Sequence, residues 1–225
     1  MMRKCAAEFF GTFCLVFAGT GAIVSNHASA GAITHVGIAL TFGLIVLSMI
    51  YALGDVSGCH LNPAVTLGFF AARRFEGGQV LPYIVSQSAG AIVASLAMRL
   101  LFPLDETLGG THPTGDAMQS FVLEFILTLI LMFVILSVSS GAKEKGLLAG
   151  VAIGAVIALE AMFAGPISGA SMNPVRSLAP ALVSLRLDHL WIYLVAPTLG
   201  ACASVLLCRC VQNPGCCCAA NEACS

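Results

Sequence analysis

Charge is what this chain has least of. Asp, Glu, Lys and Arg make up 9% of its 225 residues, while 58% are hydrophobic; a soluble domain usually carries about a quarter charged residues. That excludes an independent soluble domain. The formal net charge of −1 marks out no basic or acidic surface, so neither nucleic acid nor an acidic partner is expected. No nucleophile–base set and no metal-ligand spacing stands out in the apolar part of the chain. This argues against an enzyme and against a bound cofactor. Only short polar stretches separate the apolar runs, which leaves no room for a second folded domain.

What remains is apolar length. Six runs approach the ~20 residues that span a bilayer: 4–24, 33–53, 80–101, 121–138, 147–163 and 190–207. Two further runs, 62–72 and 173–185, are about half that length and open with Asn62-Pro63-Ala64 and Asn173-Pro174-Val175. Proline is tolerated at the first helical position because no hydrogen bond is lost there, so Pro63 and Pro174 start short helices. Arg3, Lys4, Arg73, Arg74, Lys143, Lys145 and Arg209 fall on one side of a six-span arrangement, whereas the loops at 25–32 and 102–117 carry no Lys or Arg. The excess of basic residues on cytoplasmic loops then places both termini in the cytoplasm of a cell (inner) membrane. Ala28-Ser29-Ala30 has the look of a cleavage site, but the preceding run contains Glu8 and is too long for a leader, so a retained first span is expected.

The chain repeats itself. Ser168-Gly169 through Val175 follows Ser57-Gly58 through Ala64 at a distance of 111 positions, and Glu124-Phe125 follows Glu8-Phe9 at 116. Two homologous three-span halves, about 1–105 and 117–210, form a channel domain over 1–210, with a Cys-rich tail over 211–225. An odd number of spans per half forces the second to insert upside down. The fold is therefore all-α: six transmembrane helices plus two re-entrant half-helices that enter from opposite faces and meet near the midplane. Intramembrane acids are costly unless partnered. Glu8 and Glu124 read either as a proton relay or as braces for the broken backbone, and one acid per half favours the brace.

A helix N-terminus carries about half a positive elementary charge and unpaired N–H donors. Two of them facing each other repel cations, while the Asn62 and Asn173 amides donate to a passing lone pair. The two Asn-Pro motifs, the Glu8-Phe9-Phe10-Gly11-Thr12 opening and Arg176 three residues after Asn173 resemble the major intrinsic protein family of aquaporins and glycerol facilitators. The resemblance implies a right-handed six-helix bundle in the lipid bilayer, a homotetramer with one pore per subunit, and passage of small neutral solutes. Paired half-helix ends that turn away protons and cations are a device known from aquaporin-type channels. Most members have Ala where this chain has Val175, which adds bulk where the half-helices abut.

In that family a second constriction is set by four positions. Carried over by their offsets from the motifs, they fall on Phe42, Ala161, Ala170 and Arg176. Water-selective members have His at the position of Ala161; two methyl walls imply a wider, partly apolar opening. This looks like the bacterial nodulin-26-like branch, whose members pass glycerol and metalloid acids such as arsenous or boric acid. A strict water channel is the alternative, and an ion-coupled transporter, which also uses inverted repeats, is a more distant one. The other reading of Ala161 and Ala170 is small residues at a helix crossing.

His60 is expected to line the inner vestibule through its carbonyl, and Asp55 to be solvated there. Glu160 has three open choices: Arg176, loop backbone, or a neighbouring subunit. Met118, Met132, Met162 and Met172 read as core packing. Seven of the ten cysteines follow Gly200: Cys202, Cys208, Cys210, Cys216, Cys217, Cys218 and Cys224. A reducing cytoplasm argues against disulfides there. The cluster reads as a thiophilic metalloid trap, as acylation sites at Cys208 and Cys210, or as drift, without a structural metal.

Overall fold

A computed structural model describes residues 1–139 and 143–211, the side chains of 143–147 excepted. Among the described residues there are eight helices and no strands: α1 (Met2–Ala28), α2 (Thr34–Ser57), α3 (Pro63–Ala71), α4 (Gly77–Leu101), α5 (Ala117–Val138), α6 (Lys143–Ser168), α7 (Pro174–Ser184) and α8 (Leu190–Val211). Six of them are long and apolar enough to cross a membrane. The other two, α3 with 9 residues and α7 with 11, reach only about half-way through a ~30 Å hydrocarbon core at 1.5 Å per residue. The side holding the start of α1 and the end of α8 is called inner below.

The half-helices begin where the sequence says they should, because their caps are chemical. Asn62 and Asn173 are extended, and their Oδ1 atoms accept the N–H of Ala64 (2.9 Å) and Val175 (3.1 Å); each supplies one of the partners a helix start lacks. The long helices instead run two to five residues past most of the apolar limits. The largest excess is in α6, which continues through Pro166 to Ser168 rather than stopping at 163. Proline at 166 cannot bond to the carbonyl four residues earlier. That carbonyl, Met162 O, is taken by His35 Nε2 at 2.8 Å. The turn survives because a side chain from α2 fills the gap.

The repeat is visible in contacts. Gly90 on α4 and Gly200 on α8 let those helices touch α1 and α5 backbone directly: an added Cβ would meet Phe9 O at 2.1 Å and Phe125 O at 2.3 Å. Gly43 and Gly154 face each other across the α2–α6 crossing, each Cβ position lying 2.4–2.6 Å from the other's carbonyl oxygen. Tyr83 and Tyr193 donate their hydroxyls to Ser57 O (2.8 Å) and Ser168 O (2.7 Å). Without a hydrophobic drive between helices in lipid, such small-residue approaches and interhelical hydrogen bonds do the packing. At the inner side Arg74 closes the end of α5, donating to Leu136 O (3.1 Å) and Ser139 O (2.8 Å).

Of the four methionines expected in the core, Met132 and Met172 are buried and Met162 half-buried, but Met118 is exposed on the first turn of α5. Its neighbours along the helix face outward, which a stripe count along the sequence misses.

Candidate functional site

Between Gly58 and Asn62, and again between Gly169 and Asn173, the backbone is held in a conformation that side chains avoid. Cys59, Leu61, Ala170 and Met172 all have φ between 43° and 53°. Left-handed non-glycine residues cost on the order of 1–3 kcal/mol each. The buried acids hold them. Glu8 accepts from Ser57 Oγ (2.7 Å), His60 N (2.9 Å), Leu61 N (2.7 Å) and Gln87 Nε2 (2.8 Å). Glu124 accepts from Ser168 Oγ (2.7 Å), Ser171 N (2.9 Å) and Met172 N (2.9 Å). Both acids are fully buried; every oxygen used here answers an N–H or O–H that lipid cannot.

The two loops then lock on each other. Asn62 Nδ2 donates to Met172 O (2.7 Å) and Asn173 Nδ2 to Leu61 O (2.9 Å). One N–H of each amide is spent in this exchange, and the second remains for the lumen. The asparagines lie side by side on a single cavity of about 140 Å³ that runs from Ser139 and Ala149 at the inner side to Phe42 and Arg176 at the outer side. Ile50, Val65, Leu131, Ile135 and Ile153 give it an apolar wall. Val175 is buried at the join of the half-helices, outside the cavity lining.

Phe42, Ala161, Ala170 and Arg176 border the outer part of this same cavity. Gly19 makes room for Phe42, whose ring would lie 2.1 Å from any Cβ there. The Arg176 guanidinium sits 5.1 Å from the Phe42 ring centroid, and its Nη1 donates to Gly109 O at 2.9 Å. Its Nε has no hydrogen-bond partner among the described residues. Glu160 does not pair with Arg176: both its oxygens are buried without a hydrogen-bond partner among the described residues. It turns from the cavity wall, which its neighbour Ala161 forms.

Gly109 had no signal in the sequence, since its contribution is a carbonyl. Asp105 places it. Asp105 Oδ1 accepts Leu108 N (2.7 Å) and Thr107 N (3.0 Å), its Oδ2 meets His27 Nδ1 at 3.0 Å, and Arg99 donates to Asp105 O (2.8 Å). Burial works to raise the Asp105 carboxyl, but the hydrogen bonds from His27, Leu108 and Thr107 outweigh it and hold the group below its ordinary value. Nearby, Arg186 pairs with Glu106.

His60 borders the inner half of the cavity, but its ring is boxed by Phe69, Phe75 and Tyr83 at 4.7, 4.8 and 5.2 Å between centroids, with Nδ1 3.1 Å from Thr66 Oγ1. Asp55 is exposed. Cys59, a free and buried thiol, also lines the cavity; its place beside the motif was readable, its facing was not. Cys208 is buried on the packed face of α8 rather than open at the surface. Cys210 is exposed and free. Cys216, Cys217, Cys218 and Cys224 lie outside the described residues.

Residues 1–208 match the major intrinsic protein family model. The chain belongs to the major intrinsic protein family. It is 49% identical over 203 residues to aquaporin NIP1-1 of Oryza sativa subsp. japonica, covering 90% of this chain and 72% of that one. Aquaporin NIP1-1 of Arabidopsis thaliana is 45% identical over 210 residues, with coverage of 90% and 71%. Among solved structures, the aquaglyceroporin from Plasmodium falciparum superposes with a TM-score of 0.82 at 27% identity, covering 90% of this chain and 93% of that one. The protein is a multi-pass membrane channel for water and small solutes.

Proposed function

We propose that this channel passes small uncharged polyols and metalloid hydroxy acids as well as water, and that Phe42, Ala161, Ala170 and Arg176 decide what enters. One observation carries the reading: the outer wall of the cavity pairs two methyl groups with an aromatic face and one guanidinium. A triol or hydroxy acid offers lone pairs to the guanidinium while its carbon or metalloid face lies on Phe42. At the centre, the second N–H of Asn62 and of Asn173 takes over, and the two half-helix starts oppose any cation. The likeness to NIP aquaporins and to an aquaglyceroporin supports the solute class. The inner wall is mostly apolar, broken by His60 and Ser139, which suits rapid passage.

A homotetramer with one pore in each subunit, and a cell membrane location with both termini cytoplasmic, belong to the same proposal; Arg74 capping α5 at the inner side is consistent with that orientation. The deciding experiment is stopped-flow light scattering on proteoliposomes with water, glycerol, boric acid and arsenous acid. The parent passes all four, and Ala161→His keeps water flux and abolishes glycerol flux. Unchanged glycerol flux in Ala161→His overturns the assignment of the four residues.

A further inference from the structure

Two residues of the outer opening sit on helices that a third residue ties together. Phe42 belongs to α2 and Ala161 to α6, and Gly43 and Gly154 keep those helices in contact at their crossing. Two turns outward from Phe42 on α2 comes His35. Its Nε2 lies 2.8 Å from Met162 O, the carbonyl of the residue that follows Ala161. A carbonyl only accepts, so Nε2 carries the proton and donates.

The surroundings are fitted to this bond. Pro166 lies inside α6 without an N–H, so Met162 O lacks the partner that a helix would ordinarily give it. Gly165 leaves space for the imidazole, since an added Cβ there would meet His35 Cε1 at 2.6 Å. Thr34, just before His35, is left-handed at φ 64° and donates its N–H to Asn26 Oδ1 at 2.8 Å. A β-branched residue seldom adopts that conformation; the turn from α1 holds it there and sets where His35 begins.

The other half has neither the break nor its repair. The offset of 111 that relates Gly43 to Gly154 carries Pro166 back to Asp55, which keeps its N–H, and His35 forward to Gly146, which has no side chain. Both features occur only beside the Phe42 and Ala161 walls. A carbonyl left unpaired at membrane depth is costly, so without His35 this turn of α6 is driven to rearrange.

We propose that His35 is a positioning residue for selectivity: by holding Met162 O it fixes the Ala161 wall of the outer opening relative to Phe42. It does so without touching solute, for it does not line the cavity. The consequence for selectivity rests on the proposed roles of Phe42 and Ala161; the tie between the helices does not.

A double-substitution cycle on the full-length protein tests both parts. Pro166→Ala returns an N–H four residues after Met162 and makes His35 dispensable. In proteoliposomes, His35→Leu alone should shift the glycerol-to-water permeability ratio by about threefold, the scale of one lost hydrogen bond. In detergent it should lower the melting temperature by several degrees. Added to Pro166→Ala, the same substitution should change neither quantity. A parent-like ratio in His35→Leu overturns the selectivity role, and equal effects in both backgrounds overturn the route through Met162 O. If His35→Leu alone fails to accumulate, recovery of folded protein on adding Pro166→Ala supports the tie, and failure in both backgrounds overturns it. Ala161→His, run in the same panel, reports on the opening itself, so a failure of that reading is seen separately from the melting-temperature cycle.

Discussion

The inner and outer loops share a backbone and differ in what surrounds it. Both run Gly, left-handed residue, one turn-back, left-handed residue, Asn, and both hang from a buried acid. Yet at the offset of 111, His60 becomes Ser171, Thr66 becomes Ser177 and Val65 becomes Arg176. The inner loop's His60–Thr66 contact at 3.1 Å is replaced by Ser171–Ser177 at 2.5 Å, with Thr111 also donating to Ser177 (2.7 Å). The walls differ the same way. Phe42, Ala161, Ala170 and Arg176 on the outer side correspond to Ile153, Ile50, Cys59 and Val65 on the inner side, and all eight line one cavity. What repeats sets the shape of the passage. What fails to repeat supplies Arg176, the cation of its outer wall.

The comparison can be broken at its foundations first. Glu8→Ala and Glu124→Ala each strand at least two buried backbone N–H groups, at about 1–3 kcal/mol apiece. Both should lower thermal stability in detergent by many degrees, Glu8→Ala the more because it also strands Gln87. Equal stability of either variant and parent would show that the acids do not carry the loops. Next, Arg176→Val makes the outer ring resemble the inner one. Losing a charge-assisted donor should change the glycerol-to-water ratio by about tenfold and admit protons, read by a pH-sensitive dye inside the vesicles; Val65→Ala on the inner side should do neither.

A smaller effect is expected at the crossing the halves share. Gly43→Ala puts a methyl 2.4 Å from Gly154 O, an overpacking that costs about 1–3 kcal/mol and should lower the melting temperature while leaving flux per folded copy intact. The smallest concerns the outer loop alone. Asp105 titrates below its ordinary value, so its contribution to stability is complete above that value and is lost as pH falls through the folded one. The stability gap between parent and Asp105→Asn should be constant at neutral and mildly acidic pH and close only in stronger acid. A gap that closes near neutrality would contradict this assignment to Asp105.

Most of the architecture was legible because its punctuation is chemical. Asn62-Pro63 and Asn173-Pro174 announce cap and first turn together, and the half-helices begin there to the residue. The end of α6 was not legible, since Pro166 normally stops a helix and only the distant His35 rescues it. The Arg176 acceptor was invisible because Gly109 works through its carbonyl, and carbonyls leave no trace in composition. Glu160 was ambiguous for a geometric reason. Adjacent helix residues point about 100° apart, so knowing that Ala161 faces the lumen does not say which neighbour its predecessor meets.

The account stands or falls on neutral passage without charge. Purified protein in proteoliposomes, given opposed osmotic and proton gradients with simultaneous light scattering and internal pH readout, should show fast, non-saturating, weakly temperature-dependent entry of water and glycerol with no proton movement above protein-free vesicles. Saturable uptake that stops when the ion gradient is collapsed would contradict it.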